Sequence, residues 1–120
     1  MILLSNTGGI ASTNAYVVAD ESTGDAVLVD APNDTVAPLL DEVQRREWKL
    51  NELWLTHGHF DHTADHAVVT KRFPDAKVLM HPLDEPMLEH PKSAVFTLPF
   101  TIPPRSADAH FTDGQELTIG

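Results

Sequence analysis

The chain has 120 residues, of which 8 are basic and 18 are acidic, so its formal net charge is −10. A hydrophobic content of 42% is typical of a folded protein, and the length allows one domain with a modest core. An acidic surface repels a phosphate backbone, so we expect no nucleic-acid partner. The sequence has no cysteine, which excludes disulfides and leaves nitrogen and oxygen as the ligands of any metal site.

The amino-terminal segment does not have the pattern of a secretory signal. Residues 1–4 are apolar, but they lack a basic start and are followed at once by polar Ser5 and Asn6. No apolar run reaches the length of a membrane-spanning helix. We therefore expect a soluble, cytoplasmic protein without a membrane partner.

The first half of the predicted fold is a β-meander followed by a helix. Short apolar runs separated by polar or glycine-bearing turns predict three strands, at residues 2–4, 15–19 and 26–29. The hydrophobic period then changes to that of one helix face, with apolar residues at positions 36, 39, 40 and 43. Asn33, Asp34 or Thr35 is expected to cap this helix.

The remaining elements alternate between strand and helix, which after a meander predicts a layered α/β fold. We predict strands at 50–55 and 77–80, and helices at 63–73 and 83–89. Proline-rich residues 91–105 predict an extended surface loop. A final hairpin is expected to turn at Asp113-Gly114, with residues 116–119 as its returning strand.

Four potential metal ligands follow the predicted strand at 50–55 directly: His57, His59, Asp61 and His62. Imidazole and carboxylate groups bind zinc, iron and manganese. Residues at i and i+2 point the same way in extended chain, so His57 and His59 can share one ion. Asp61 and His62 lie at the start of the next helix, where they can face a second ion. Two adjacent ions can hold a water molecule as a hydroxide nucleophile.

A merely polar, solvated loop is the alternative interpretation of this segment, and its position at a strand end argues against it. The other histidines have no such pattern. We interpret His66, His81, His90 and His110 as surface or hydrogen-bonded residues, and the pair Asp65-His66 as solvated on its helix.

The sequence resembles the metallo-β-lactamase superfamily, because Asp30 ends a predicted strand and a helix and a strand then lead into His-x-His-x-Asp-His. The segments at 14–18 and 27–32 are similar to the hydroxyacylglutathione hydrolase (glyoxalase II-like) branch. The resemblance implies an αββα sandwich. Residues 1–120 would form its first αβ half, the amino-terminal half of a metallo-hydrolase domain.

The resemblance also implies roles for single residues. His57 and His59 would bind the first metal, Asp61 and His62 the second, and Asp61 would in addition be catalytic. Asp30 would support the metal-bound histidines from behind, although a strand-ending turn residue is the alternative. The expected cofactor is a pair of zinc ions, with iron or manganese as alternatives.

Two departures from the family are visible. Many relatives have a glycine pair where this chain has Ala64-Asp65. The family also supplies a third histidine for the first metal, a bridging aspartate and another histidine for the second, and none of these has a match before Gly120.

The expected function is hydrolysis of a small-molecule thioester. A lactonase or an iron-dependent sulfur dioxygenase remains open within enzymes. A non-catalytic, truncated half-domain that binds metal weakly or pairs with another chain is the alternative from another class. We expect the 120 residues alone to be inactive and to self-associate through the face that truncation exposes.

Overall fold

A single six-stranded sheet organises the chain in the computed structural model, which describes residues 1–91 and 100–119. The strands follow one another across the sheet in chain order: β1 (Ile2–Gly8), β2 (Thr13–Asp20), β3 (Asp25–Val29), β4 (Lys49–Trp54), β5 (Lys77–Met80) and β6 (Ala109–His110). The first three pair antiparallel, and β3 to β6 pair parallel. The predicted meander and the α/β class are therefore confirmed.

The helices lie in the connections between the parallel strands, as parallel pairing requires. They are α1 (Ala37–Arg45), α2 (Phe60–Thr63), α3 (His66–Arg72) and α4 (Glu85–Glu89). None of the helices in the described part of the chain is long and apolar enough to cross a membrane.

The predicted cap of α1 is wrong. Val36 occupies the position before the helix and makes no side-chain capping bond. The Thr35 hydroxyl is used elsewhere, because it donates to the carbonyl of Asn33 at 2.9 Å.

The core lies between the helices and one face of the sheet. In β2, Ala15, Val17 and Ala19 are fully buried, while the alternate residues Tyr16 and Val18 are only partly covered, as the period of a strand requires. The buried cluster joins this face to residues of α1, α3 and α4, among them Leu40, Val43, Val69 and Leu88. The opposite face of the sheet, which we call the outer face, leaves Leu3 64% exposed.

The predicted helix at 63–73 is two helices, α2 and α3, with a break at Asp65. The carbonyl of His62 accepts the Ala31 N–H at 2.8 Å, and the Asp65 N–H donates to the Ala31 carbonyl at 2.9 Å. These bonds to the chain after β3 replace bonds of the helical ladder. The periodicity of residues 63–73 contained no sign of them.

The predicted final hairpin is also wrong. Residues 113 and 114 do turn, but the described residues after them form no strand. β6 instead lies parallel to β5, where the side chain and N–H of Asp108 bond to Val78 and the Phe111 N–H donates to the Met80 carbonyl. β6 therefore extends the sheet at the edge of β5.

The predicted loop at 91–105 falls partly outside the described residues, at 92–99. Its remainder has no regular structure, yet Ile102 is buried. This part is therefore not a purely superficial loop.

Candidate metal centre

The predicted site residues come together because β3 and β4 are parallel neighbours that end at the same edge of the sheet. Asp30 follows β3, and its N–H donates to the Trp54 carbonyl at the end of β4 at 2.9 Å. The segment from Thr56 to His62 leaves β4 beside it. This edge therefore collects side chains that are far apart in the sequence.

Asp30 is the buried centre of a hydrogen-bond network, with 4% of its surface exposed. Its Oδ1 accepts the Thr56 N–H at 2.8 Å. Its Oδ2 accepts the Thr56 hydroxyl at 2.7 Å and lies 2.8 Å from Nδ1 of His62. The backbone of Asp30 is left-handed, with φ of 65°, a conformation that aspartate and asparagine adopt more readily than most residues. The turn after β3 thus aims the carboxylate at the histidine segment.

This network determines which ring nitrogen of His62 and of His57 carries the proton when the imidazole is neutral. A carboxylate only accepts hydrogen bonds, so Nδ1 of His62 must carry the proton that it shares with Asp30. The Thr56 hydroxyl has one proton and gives it to Asp30, so it must accept from Nδ1 of His57, which lies 2.9 Å away. In its neutral form each ring then has an unprotonated Nε2, and this is the tautomer that binds a metal through Nε2.

Asp61 and His62 present two electron-pair donors to each other. Nε2 of His62 lies 3.3 Å from Oδ2 of Asp61, and both side chains are 21% exposed. Neither atom carries a proton when the imidazole is neutral, so a cation between them would satisfy both. Two ligands at zinc distances from one tetrahedral ion lie about 3.3 Å apart, which agrees with the observed separation. The residues present therefore fit a divalent ion.

His57 and His59 lie side by side with nearly parallel rings, whose centroids are 6.0 Å apart and whose planes differ by 9°. The backbone of His59 is extended, as their shared direction requires. Among residues 1–91 and 100–119, no group of three or more His, Asp or Glu side chains is arranged to hold a metal ion. The assignment of His57 and His59 to a first ion and of Asp61 and His62 to a second stays a prediction.

Gly58 lets the segment pack closely on α4. A Cβ atom at this position would lie 2.6 Å from the carbonyl oxygen of Asp84 and 2.9 Å from Cβ of Met87. These distances are too short for any larger residue without movement of the backbone. Gly58 thus allows the backbone between His57 and His59 to lie directly against the start of α4.

The interpretation of Asp65-His66 as a solvated pair is wrong. His66 is 2% exposed, and its Nε2 bonds to the Pro103 carbonyl at 2.7 Å. Burial lowers the pKa of His66, and the Arg105 charge adds to this effect. The Asp65 carboxylate accepts the Asp34 N–H at 2.8 Å and so ties α3 to the loop after β3.

The side chains of the other histidines are bonded to other residues or exposed. Nδ1 of His81 accepts the Leu83 N–H at 3.1 Å, and His90 is exposed. His110 bonds to Glu85 at 2.8 Å. The pKa of Glu85 is lowered, first by the Ala107 N–H that it accepts and then by this bond.

Two residues that contact the predicted ligands, Thr56 and Thr13, were not among the predicted site residues. Thr56 links Asp30 to His57, and its place directly before the histidine motif was the available signal. Thr13 donates its hydroxyl to Oδ2 of Asp61 at 2.8 Å from β2, 48 positions away. No local pattern indicates such a contact.

Comparison with known proteins supports the same grouping. A family model described as the metallo-beta-lactamase superfamily matches residues 8–120. A hydroxyacylglutathione hydrolase of Ruegeria pomeroyi is 42% identical over 59 residues, which are 49% of this chain and 22% of that protein. An uncharacterized protein of Mycobacterium leprae is 28% identical over 127 residues, covering 100% of this chain and 58% of that protein.

Two solved structures share the fold. The BLEG-1 B3 metallo-beta-lactamase superposes with a TM-score of 0.82 at 29% identity, over 99% of this chain and 57% of that one. TTHA1623 in a di-iron-bound form gives 0.74 at 30% identity, over 95% and 56%. This chain thus matches less than two thirds of the length of each of these relatives. The match over residues 8–120 places the chain in the metallo-beta-lactamase superfamily.

Proposed function

We propose that the protein is a metal-dependent hydrolase whose site is built on residues 57–62. The observation that carries this proposal is the separation of two potential ligand atoms, Nε2 of His62 and Oδ2 of Asp61, at 3.3 Å. Divalent ions bound there would lower the pKa of a bound water and supply a hydroxide nucleophile. Zinc is the proposed ion, and iron is the first alternative because the similar TTHA1623 structure is described as di-iron-bound.

The residues of the chain would prepare this site in three ways. Asp30 and Thr56 hold the protons of His62 and His57 on Nδ1, so that each Nε2 is free to bind. Asp61 would bring a negative charge to the metal, and we propose that it also orients the nucleophilic water. Gly58 would keep the segment close to α4 and thereby fix where the histidines point.

A small thioester of the hydroxyacylglutathione class is the proposed substrate. The similarity to a hydroxyacylglutathione hydrolase covers 49% of this chain, but it spans only 22% of that enzyme. A net charge of −10 argues against a nucleic-acid substrate. Lactone hydrolysis and iron-dependent sulfur oxidation are outcomes that the same experiment distinguishes.

The experiment uses the full-length product of the gene, loaded with zinc, iron or manganese. It measures hydrolysis of a hydroxyacylglutathione and of a lactone, and the O2-dependent oxidation of a glutathione persulfide to sulfite. We expect metal-dependent release of thiol from the thioester and its loss in His62→Gln. The matched control is His90→Gln, because His90 is exposed and belongs to no bond of the site. Hydrolysis that survives metal removal, or that is equal in His62→Gln and the unsubstituted full-length protein, would contradict the proposal.

A polypeptide of these 120 residues alone is proposed to turn over substrate poorly. Asp61 and His62 offer two donors at one place, whereas a catalytic zinc takes three protein ligands and a water. Further ligands would come from protein outside these residues, in the same chain or in another. Equal rates for this chain and for a longer product of the same gene would show that the active site is misplaced.

We propose self-association through the outer face of the sheet, which carries Leu3, Val18 and Trp54. Apolar side chains that remain partly exposed on a sheet face favour contact with a second copy. Val18→Lys should shift the sedimentation coefficient of a dimer towards that of a monomer. Val68→Lys is the matched control, since Val68 lies on α3 on the helix side. An unchanged coefficient in Val18→Lys would exclude this surface.

A further inference from the structure

Thr13 makes a partly buried contact with a proposed ligand, although it is not itself in the proposed ligand set. It is the first residue of β2 and is 8% exposed, and its hydroxyl donates to Oδ2 of Asp61 at 2.8 Å. The direction of this bond is fixed, because an ionised carboxylate only accepts. Oδ2 is also the oxygen that faces Nε2 of His62.

We infer that Thr13 is a positioning residue for Asp61, whose Oδ2 it holds beside Nε2 of His62 so that the two atoms can take one divalent ion. A carboxylate oxygen has two lone-pair directions. The bond from Thr13 occupies one of them and leaves the other for the ion. This inference rests on the proposed function, because it assigns a task to Thr13 only if Asp61 is a ligand.

Asp61 needs such support because its own element is short. α2 has 4 residues, and a single helical turn has little stability of its own. The Asp61 side chain is partly exposed, so its rotamers are not fixed by burial alone. A hydrogen bond from the sheet removes this freedom before an ion binds, and less binding free energy is then lost to ordering.

Thr13 is itself held in place by the end of the β1–β2 hairpin. It pairs with Gly8 in the sheet register, and Ser12 before it is left-handed with φ of 52°. A Cβ on Gly8 would lie 2.5 Å from the Thr35 hydroxyl oxygen, so the hairpin end packs directly on the loop after β3. The Thr13 hydroxyl thus has a rigid base from which to orient the carboxylate.

The test compares two substitutions of Thr13 by zinc competition against a chromophoric chelator. Thr13→Val removes the hydroxyl and keeps the branched shape that suits a strand, and it should weaken zinc binding about tenfold. Thr13→Ser keeps the donor and should retain the affinity. Thr7→Val is the matched control, because the exposed Thr7 hydroxyl donates to Asn14 in the same hairpin. Thr13→Ala replaces the valine variant if that variant does not fold.

A double-mutant cycle with Asp61→Asn shows whether the effect passes through the carboxylate. In that background, Thr13→Val should cause no further loss of affinity. Unchanged affinity in Thr13→Val, while Asp61→Asn weakens binding, would overturn the inference and leave the proposed function standing. Equal losses in Thr13→Val and Thr13→Ser would also overturn it, because the hydroxyl would then not be the cause. Unchanged affinity in Asp61→Asn would overturn the proposed ligand and this inference together.

Discussion

Replacing Asp30 by asparagine tests the network that prepares the candidate metal centre. Asparagine has nearly the same shape and tolerates the left-handed backbone of Asp30, where φ is 65°. An amide oxygen can still accept the Thr56 N–H, as Oδ1 does now at 2.8 Å. The amide nitrogen in the place of Oδ2 cannot accept from either Thr56 or His62. The substitution therefore removes an acceptor while it leaves the fold of the turn intact.

The expected loss follows from the changed tautomer of His62. The new amide nitrogen donates to Nδ1, which favours a proton on Nε2, and a protonated Nε2 cannot bind a metal. A hydrogen bond to a charged group contributes about 1.5–3 kcal/mol. A zinc affinity that falls by about 10–100-fold corresponds to about 1.4–2.8 kcal/mol, which is of the same size. The loss of the bond between Asp30 and His62 is therefore sufficient to account for the whole effect.

The assay is zinc competition against a chromophoric chelator at constant pH, combined with thermal unfolding of the metal-free protein. Zinc affinity should fall while the free energy of unfolding changes by about 1 kcal/mol or less, because a neutral amide also relieves the burial of a charge. Asp34→Asn is the matched control: its backbone is likewise left-handed, with φ of 53°, and its side chain is exposed. Equal zinc affinities of the Asp30→Asn and Asp34→Asn variants would refute the reasoning.

Three other substitutions test separate parts of the site. Gly58→Ala should lower the free energy of unfolding by about 1–3 kcal/mol in denaturant titrations, because its Cβ would meet the backbone of Asp84. Asp61→Asn should keep the thermal midpoint of the metal-free protein. It should lower the metal content of a complete site, measured by mass spectrometry, from about two ions towards one. Loss of both ions or of neither would contradict the assignment of Asp61 to the second ion alone. Burial lowers the pKa of His66 from its ordinary value of 6.5, so the unfolded chain takes up a proton more readily than the folded one. Stability should thus be full above pH 6.5 and fall as the pH drops below it, and His66→Gln should reduce this slope in unfolding experiments; an unchanged slope would exclude His66 as its source.

The hydrophobic period was sufficient to predict the strands and helices that bury one face. The alternation in β2 and the helical spacing that ends at Val43 both report burial on one face, and both elements formed where expected. The hairpin at Asp113-Gly114 did not form, because a turn signal by itself does not specify a strand after the turn or the partner of the strand before it. Ala109 and His110 pair with β5 instead.

The spacing of residues 57–62 was sufficient to predict the four candidate ligands. It was not sufficient to predict the residues that hydrogen-bond to them. Asp30 became a candidate only through the family resemblance, and its bond to His62 joins positions 32 apart. Thr13 lies 48 positions from Asp61. Contacts of this length depend on strand order, and a single sequence specifies strand order only through the complete fold.

The break between α2 and α3, where one continuous helix was predicted, contributes to the candidate site. In a continuous helix, the His62 carbonyl would accept a bond from four residues further along. It accepts instead from the Ala31 N–H at 2.8 Å, while the His62 ring bonds to the Asp30 side chain at 2.8 Å. Two successive residues after β3 therefore hold both the backbone and the side chain of His62. Because the interrupted helix frees its carbonyl for this second bond, the break contributes to the orientation of Nε2 towards Asp61.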